Sequence, residues 1–269
     1  MRKNCWIVGA SYGIGEALAH KFYQSGYNVI LSARSSEKLD ELRQSLILES
    51  NSKSNVGEIT TSILDVCDLS SIQKSFAELL EKFQKINMVI FCSGLYKPMS
   101  VADFDLDSAK KIIDVNLVGF LNLLHVTVSQ MIKQKSGHIA AVASVAGYCG
   151  LPQSFAYGAS KAALINLCEG IYPELQRHKI DLSVINPGFV KTRLTDQNKF
   201  QMPFLISSLE AANFIFDGLQ KKYFEIHFPK KFTFILKFLR ILPYRIFFFF
   251  TKKSLPKSNV LANNNSLDK

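Results

Sequence analysis

The chain has 269 residues, of which 48% are apolar and 20% are charged, so it can bury one large α/β core. This composition excludes a disordered chain, and the 14 glycines and 8 prolines exclude a collagen-like or low-complexity protein. The net charge of +10 lies mostly in the last fifty residues, and the five cysteines are scattered among apolar neighbours, which excludes a disulfide scaffold and favours a reducing compartment.

The amino terminus has the charge pattern of a signal peptide only over its first few residues. Met1-Arg2-Lys3 precedes a short apolar run, but glycines from Gly9 onward interrupt this run before a signal-peptide core can form. We therefore expect the protein to be cytoplasmic.

Short β-branched segments alternate with longer segments of helical periodicity along most of the chain. Seven strands are predicted at residues 4–8, 28–33, 58–64, 88–92, 137–142, 181–185 and 223–228. Six helices are predicted at residues 13–25, 36–48, 69–83, 109–134, 155–177 and 208–219, with a polar loop at residues 51–55. This alternation predicts a doubly wound parallel seven-stranded sheet, a Rossmann-type α/β fold, within one domain over residues 1–228.

Glycines cluster where the first predicted strand meets the first predicted helix. Residues 9–15 read GASYGIG, which has the spacing Gly-xxx-Gly-x-Gly. A turn without Cβ atoms lets the backbone approach a pyrophosphate, and the next helix offers free N–H groups at its start. A tight turn without any ligand would also favour glycine. We assign nucleotide-phosphate binding to Gly9, Ser11, Tyr12, Gly13, Ile14 and Gly15.

A tyrosine and a lysine lie four residues apart in the predicted helix at residues 155–177. Tyr157 and Lys161 share one helix face, so the ammonium group can sit near the phenol. A nearby cation stabilises the phenolate and lowers the pKa of a phenol from about 10, which would let Tyr157 exchange a proton near neutral pH. Ser144 follows the fifth strand, where open α/β sheets place ligands, and can donate to a substrate oxygen. Taken alone, an exposed helix pair and a loop serine would explain the same residues.

The order and spacing of these motifs resemble the short, single-domain branch of the short-chain dehydrogenase/reductase family. The resemblance covers residues 4–228 and rests on Gly9, Gly13, Gly15, Asn116, Ser144, Tyr157 and Lys161. It implies an oxidoreductase that transfers hydride between NADP(H) and a carbonyl or alcohol substrate. Residues 1–228 are then the dinucleotide-binding and catalytic domain.

The resemblance also implies a role for each catalytic residue. Tyr157 is expected to donate a proton to a carbonyl or to accept one from an alcohol, and Ser144 to polarise the substrate oxygen. Lys161 is expected to lower the pKa of Tyr157 and to bind the nicotinamide ribose, and Asn116 to hold a water that links Lys161 to solvent. No metal ligand is implied. Further cofactor contacts are implied at Asp65, Val66, Gly94, Pro187, Gly188, Val190 and Thr192.

Two positions depart from the family pattern. Val8 stands where threonine is usual, and residues 91–94 read Phe-Cys-Ser-Gly in place of Asn-Asn-Ala-Gly. Both positions usually support packing, so we expect local repacking with the chemistry retained. Asp65 could alternatively cap the third helix, but Asp68 is better placed for that cap.

The end of the second strand is expected to decide between NAD and NADP. Family members that are specific for NAD tend to carry aspartate where this chain has Ala33, and Arg34 follows it. A guanidinium can bind a 2′-phosphate in bidentate fashion, and the hydroxyls of Ser32 and Ser35 could add donors. The sequence therefore predicts NADP(H) over NAD(H). The alternative is an exposed Arg34 that stacks on adenine without any preference.

The carboxyl-terminal part of the chain is basic and aromatic. Residues 220–269 hold eleven Lys or Arg against two acidic residues, and residues 228–253 hold eight of the 21 phenylalanines. Lys237, Arg240 and Arg245 interrupt the apolar run and Pro243 kinks it, so a membrane-spanning helix is not predicted.

The spacing of polar residues predicts that residues 229–253 form an amphipathic helix. Thr233, Lys237, Arg240 and Tyr244 form a narrow polar stripe, which suits a helix lying in a membrane interface with basic side chains at anionic head groups. We expect residues 229–269 to be an extension that binds the cytoplasmic face of a membrane, with a disordered end at residues 260–269. Alternatively, the segment packs over the substrate cleft or forms a homo-oligomer interface. Nucleic acid is not an expected partner, because phosphate-binding patches rarely carry four consecutive phenylalanines.

The cleft rim is predicted at residues 96–99, 148–155 and 194–204 and is apolar, which excludes few substrates. The expected substrate is a small lipophilic carbonyl or alcohol, and the expected assembly is a homo-oligomer. A nucleotide-sugar epimerase is disfavoured by the length and by the glycine spacing. A catalytically idle, cofactor-sensing protein tethered by its basic tail is the other alternative. The intact set of Asn116, Ser144, Tyr157 and Lys161 argues against it.

Overall fold

A parallel sheet of seven strands forms the centre of the molecule in this computed structural model, which describes residues 2–50, 57–198, 201–253 and 255. The strands are β1 (Asn4–Val8), β2 (Asn28–Ala33), β3 (Ile59–Ile63), β4 (Met88–Phe91), β5 (Gly137–Val142), β6 (Ile180–Pro187) and β7 (Glu225–Phe228). Their order is β3-β2-β1-β4-β5-β6-β7. The predicted doubly wound parallel sheet is confirmed, and the strand order reverses between β1 and β4, where such sheets bind ligands.

Helices cover both faces of the sheet. They are α1 (Gly13–Gln24), α2 (Ser36–Ser50), α3 (Leu69–Phe83), α4 (Leu106–Ile113), α5 (Gly119–Gln134), α6 (Phe155–Arg177), α7 (Ser208–Gln220), α8 (Lys230–Ile241) and α9 (Tyr244–Lys253). A π-helical turn, Asp114–Val118, joins α4 to α5, and 3₁₀ turns lie at Val145–Gly147 and Thr195–Gln197. The predicted loop at residues 51–55 and the predicted disordered end at residues 260–269 lie outside the described residues.

Alternate side chains of the central strands enter two separate cores. Cys5 and Ile7 of β1 face the core beneath α1, α2 and α7, whereas Trp6 and Val8 face the core beneath α3, α5 and α6. All four are fully buried, as expected for a parallel strand covered on both faces.

Several predicted boundaries shift by a few residues. The helix predicted at residues 109–134 begins earlier, at Leu106, because Asp105 caps its start by accepting a hydrogen bond from the Ser108 N–H at 3.0 Å. Strand β6 continues to Pro187, because Pro187 pairs with Phe228 of β7. Asp68 caps α3 through the N–H groups of Ser70 and Ser71, as predicted.

By length and composition alone, one helical run within the described residues, Leu106–Gln134, could cross a bilayer, with a mean hydropathy of 1.6. This run comprises α4, the π-helical turn and α5. It packs against α3 and α6 and contributes Ile112, Phe120 and Leu123 to buried clusters, which is how a core helix of a globular fold behaves.

Three residues of the predicted polar stripe, Thr233, Lys237 and Arg240, contact the body of the protein, whereas the fourth, Tyr244, is 77% exposed in α9. Lys237 forms an ion pair with Glu225 of β7, and an Arg240 guanidinium N–H donates to the Tyr148 carbonyl at 2.6 Å. Thr233 is fully buried, with its Oγ1 2.6 Å from Nδ1 of His227. Lys237 and Arg240 thus have acceptors in the protein body, and the expectation that their side chains reach lipid head groups stays a prediction.

The end of α8 follows the predicted break. Leu242 and Pro243 separate α8 from α9, which begins at Tyr244, so two helices replace the single kinked one. Phe232 of α8 stacks on Phe189 at 5.4 Å between ring centroids and lies 5.9 Å from the Phe204 ring. The extension thus contacts the loop after β6, as the alternative of packing near the cleft predicts.

Candidate active site

The glycine turn after β1 is held tightly by the protein itself. A Cβ on Gly9, whose φ is +91°, would lie 2.5 Å from the Ser93 nitrogen, and a Cβ on Gly15 would lie 2.1 Å from the Gly9 carbonyl oxygen. Both contacts involve backbone that cannot move away. These two glycines are therefore required by the fold, as the alternative of a tight turn without a ligand also predicts.

The start of α1 is open to an anion. Tyr12 is the N-cap residue and makes no side-chain cap, so the first N–H groups of α1 have no side-chain acceptor there. The Arg193 guanidinium carbon lies 3.8 Å from the centroid of the Tyr12 ring. The methyl group of Thr192 lies against Gly13, 2.8 Å from the point where a Cβ would sit. The turn, Arg193 and Thr192 therefore share one cleft, suited to phosphate groups.

Tyr157, Lys161 and Ser144 meet at the carboxyl end of β5, as predicted from the sequence. Lys161 is 3% exposed, and its Nζ donates to the Val142 carbonyl at 2.8 Å and lies 5.6 Å from the centroid of the Tyr157 ring. Ser144 caps the 3₁₀ turn by accepting from the Ala146 N–H at 3.1 Å, and its side chain lies close enough to Tyr157 to favour the charged phenolate and so to lower the pKa of Tyr157.

The surroundings of Tyr157 favour the protonated phenol. Burial raises the pKa of Tyr157 to about 12, and the nearby Ser144 side chain offsets only part of this effect. Burial also lowers the pKa of Lys161 to about 8. The predicted lowering of the pKa of Tyr157 by Lys161 is not produced by the chain alone, because desolvation of the hydroxyl dominates.

Asn116 lies in the π-helical turn and is fully buried. Its Oδ1 accepts from the Leu95 N–H at 2.7 Å, while its Nδ2 donates to the Leu95 carbonyl at 3.0 Å and to Ser160 Oγ at 2.9 Å. Both amide hydrogens are therefore used. The side chain fixes the loop after β4 to α6, and a water could bind it only at the second lone pair of Oδ1.

Gly94 lies next to the side chains of Asn116 and Lys161. A Cβ on Gly94 would lie 3.7 Å from Asn116 Oδ1 and 3.8 Å from Lys161 Nζ, without touching backbone. A nicotinamide ribose that approached the bare backbone of Gly94 would meet the ammonium donor of Lys161, so the residues present fit a dinucleotide cofactor.

The end of β2 and the loop after β3 carry the residues predicted to meet the adenosine part. Arg34 is exposed and follows β2 directly. Ser32 is fully buried and accepts from Trp6 Nε1 at 2.9 Å, so the suggestion that Ser32 adds a donor is wrong. Asp65 accepts from the Cys67 N–H at 2.9 Å, and the Val66 side chain packs against Gly119.

The loop after β6 carries the predicted carboxamide contacts. Gly188 donates its N–H to the Phe228 carbonyl at 2.7 Å, beside Pro187 at the end of β6. Val190 is buried and pairs with Ile206 in an isolated parallel bridge. The loop is therefore folded back on itself beside the glycine turn.

Comparison with known proteins agrees with this geometry. A family model described as short chain dehydrogenase matches residues 3–202. The chain belongs to this family. It is therefore an oxidoreductase of the short-chain dehydrogenase family, as the sequence motifs predicted.

Similar proteins include several oxidoreductases. An uncharacterized oxidoreductase of Staphylococcus epidermidis is 32% identical over 72% of this chain and 80% of its own length. The 3-oxoacyl-(acyl-carrier-protein) reductase FabG of Thermotoga maritima is 32% identical over 72% of this chain and 77% of its own. Dehydrogenase/reductase SDR family member 7B of Rattus norvegicus is 27% identical over 90% of this chain and 78% of its own.

Solved structures share the fold of this dehydrogenase. ElxO with NADP bound has a TM-score of 0.74 at 24% identity, over 84% of this chain and 98% of its own. A short-chain dehydrogenase from Sphingobium yanoikuyae in complex with NADPH has a TM-score of 0.75 at 22% identity, over 84% of this chain and 88% of its own.

Two residues of the dehydrogenase cleft were not singled out in the sequence. Tyr96 packs edge-on against Tyr157 at 4.9 Å between ring centroids and donates its hydroxyl to Asn198 Oδ1 at 2.9 Å. The Arg193 guanidinium group lies over the ring of Tyr12. Tyr96 falls within the predicted rim, but no local pattern marks it. Arg193 could have been suspected because it directly follows Thr192.

Gly94→Ala separates cofactor binding from folding. The added methyl group fills the space beside Lys161 without a backbone clash, so we expect normal thermal unfolding and a loss of NADPH affinity of roughly ten-fold or more. Gly170→Ala in α6 is the control, because nothing lies within 4 Å of its added Cβ. Fluorescence titration with NADPH measures the effect. Unchanged affinity in Gly94→Ala would exclude the cofactor from this space.

Proposed function

We propose that the protein is an NADPH-dependent carbonyl reductase for lipophilic ketones or aldehydes. The observation that carries the proposal is the meeting of Tyr157, Ser144 and the buried Lys161 at the carboxyl end of β5, with Lys161 Nζ 5.6 Å from the centroid of the Tyr157 ring. These groups can bind a carbonyl oxygen and donate a proton to it. When bound, NADPH would supply the hydride.

The pKa values favour reduction near neutral pH. A phenol with a pKa of about 12 is protonated at neutral pH and ready to donate, whereas oxidation of an alcohol first requires its deprotonation. Lys161, with a pKa of about 8, is mostly charged at neutral pH and can therefore stabilise the phenolate that remains after Tyr157 has donated its proton. The relative from Thermotoga maritima is likewise named a reductase.

Each residue of the site has a distinct task in this mechanism. Tyr157 and Ser144 bind the substrate oxygen, and Tyr157 donates the proton. Lys161 stabilises the resulting phenolate and supplies a donor to the ribose hydroxyls of the cofactor. Asn116 positions both sides of the cleft, because it joins Leu95 to Ser160 of α6.

The cleft beside Tyr157 supports a lipophilic substrate. Tyr96 covers one edge of the Tyr157 ring, and Met99 and Ala156 form a buried apolar cluster next to it. Phe204 lies on the loop after β6 and is 47% exposed. Turnover of a panel of apolar ketones, polar keto sugars and 3-oxoacyl thioesters tests this proposal. We expect apolar ketones or the acyl thioesters to be reduced, and preferred turnover of keto sugars would contradict it.

Arg34→Ala tests the preference for NADPH. Arg34 is the exposed cation after β2, while nearby Lys38 is paired with Glu41 at 2.6 Å. A charge-assisted bidentate contact with the 2′-phosphate is worth about 1.5 to 3 kcal/mol, so NADPH affinity should fall roughly ten- to hundred-fold while NADH affinity hardly changes. Arg43→Ala is the charge-matched control, because Arg43 is also exposed and lies in α2. If the unmutated protein bound NADPH and NADH with equal affinity, the proposed preference for NADPH would be overturned.

A further inference from the structure

The consecutive helices α8 and α9 expose many of their large apolar side chains. We define the outer face by Phe234, Ile235 and Phe238 of α8 and by Tyr244, Phe248 and Phe249 of α9, all between 49% and 77% exposed. Large apolar side chains grouped in this way mark interaction surfaces on soluble proteins.

The orientation of α8 explains why this face is apolar. Lys237 and Arg240 bind Glu225 and the Tyr148 carbonyl, and Thr233 contacts His227. The polar residues that would normally hydrate an amphipathic helix are thus bound to the protein body. Leu236 packs beside them against Val145 and Tyr148, so the helix cannot roll without breaking these contacts.

The charge of this region indicates what covers the outer face. Lys231, Arg245, Lys252 and Lys253 are exposed on the same two helices. The sequence has no acidic residue between Glu225 and Asp268. A second copy docked through the same face would bring cations against cations. An anionic lipid surface offers phosphate groups for the cations and an apolar layer for the aromatic side chains.

We propose that the outer face docks on an anionic lipid surface. The aromatic side chains enter the boundary between acyl chains and head groups, and the exposed lysines and Arg245 bind lipid phosphates. The membrane contact predicted from the sequence is kept, but the part of the helix that makes it is the opposite one.

This surface adjoins the loop that borders the active-site cleft. Phe232 of α8 contacts the ring of Phe204, which is half exposed and followed by exposed Leu205. Docking would therefore bring the cleft close to carbonyl compounds dissolved in the membrane. Only this last step rests on the proposed function, because vesicle binding does not depend on catalysis.

Cosedimentation of the full chain with vesicles tests the proposal. Binding should be stronger to vesicles of phosphatidylcholine mixed with phosphatidylserine than to phosphatidylcholine alone, and raised salt should narrow the difference. Arg245→Gln combined with Lys252→Gln and Lys253→Gln should weaken binding to the mixed vesicles roughly five-fold per cation.

The apolar contribution is tested by substitutions that leave the inward stripe intact. Phe234→Ser combined with Ile235→Ser and Phe238→Ser should lower binding roughly a hundred-fold or more on anionic vesicles. Leu48→Ser combined with Leu209→Ser is the control, because both side chains are exposed elsewhere, at 71% and 62%. The control should bind as the unmutated protein does.

A second measurement reports insertion directly. Trp6 is the single tryptophan and is fully buried, so Phe238→Trp adds a fluorophore at the outer face. Its emission should shift to shorter wavelength when anionic vesicles are added. The proposal is overturned if the unmutated protein stays in the supernatant and this emission does not move. It is also overturned if the serine variant instead converts a dimer to a monomer by light scattering, which would assign the face to a second copy.

Discussion

Tyr157→Phe will lower turnover by roughly a hundred- to ten-thousand-fold, which is the range expected for losing a general acid. Only the hydroxyl is removed, and the remaining ring keeps its contact with Tyr96. NADPH binding should therefore survive. Steady-state rates with a lipophilic ketone, together with fluorescence titration of NADPH, measure both effects.

Tyr96→Phe is the matched control for this prediction. It removes a hydroxyl from the same cleft and breaks the hydrogen bond to Asn198, but it removes no proton that the mechanism uses. Its rate should stay within about ten-fold of the unmutated rate. If Tyr157→Phe retained a near-normal rate, Tyr157 would not be the proton donor.

Lys161→Met will abolish turnover as severely as Tyr157→Phe and will also weaken NADPH binding. The ammonium group is expected both to stabilise the phenolate and to donate to the cofactor ribose. Measured dissociation constants for NADPH separate the two variants, since only Lys161→Met should raise them. A variant that merely moved the pH optimum would show that Lys161 does not bind the cofactor.

Lys161→Met should also change how the free energy of unfolding depends on pH. Burial lowers the pKa of Lys161 to about 8, from 10.5 for a free lysine. Lys161 therefore contributes its full share of stability only above about pH 10.5, and this contribution is lost as the pH falls towards 8. Relative to the unmutated protein, Lys161→Met should therefore have a larger free energy of unfolding at about pH 7 than at about pH 10. This difference between the two proteins should decrease by roughly 2 kcal/mol over that pH range.

Urea unfolding at both pH values measures this change. Exposed Lys133→Met on α5 is the control and should show no such dependence. If the free energy of unfolding depended on pH equally in the unmutated protein and in Lys161→Met, burial would not lower the pKa of Lys161.

The sequence was sufficient to predict features that depend on neighbouring residues and on the order of the elements along the chain. Helix α6 follows from its apolar periodicity, and the spacing of Tyr157 and Lys161 places both on one of its faces. The alternation of strands and helices was sufficient for the parallel sheet, because few other arrangements bury such segments.

Features that depend on distant partners could not be predicted. Asn116 is bonded to Leu95 and Ser160, which lie 21 and 44 residues away in the chain. The pKa of Tyr157 depends on how deeply its hydroxyl is buried, which spacing alone does not reveal.

The orientation of α8 also depends on residues outside the helix and could not be predicted from its own sequence. A polar stripe in a sequence indicates an amphipathic helix but does not say whether the stripe faces solvent or protein. Here Glu225, twelve residues before Lys237, binds that lysine and turns the stripe inward. The Tyr148 carbonyl, 92 residues from Arg240, reinforces the same orientation.

Hydride transfer to a lipophilic carbonyl, with Tyr157 as the proton donor, can be followed with an isotope label. The most direct measurement uses NADPH that carries deuterium at its transferable position, followed by mass spectrometry of the alcohol formed from apolar ketones and 3-oxoacyl thioesters. We expect deuterium on the carbinol carbon with the unmutated protein and almost none with Tyr157→Phe. Tight NADPH binding without label in any alcohol, or equal labelling by Tyr157→Phe, would contradict it.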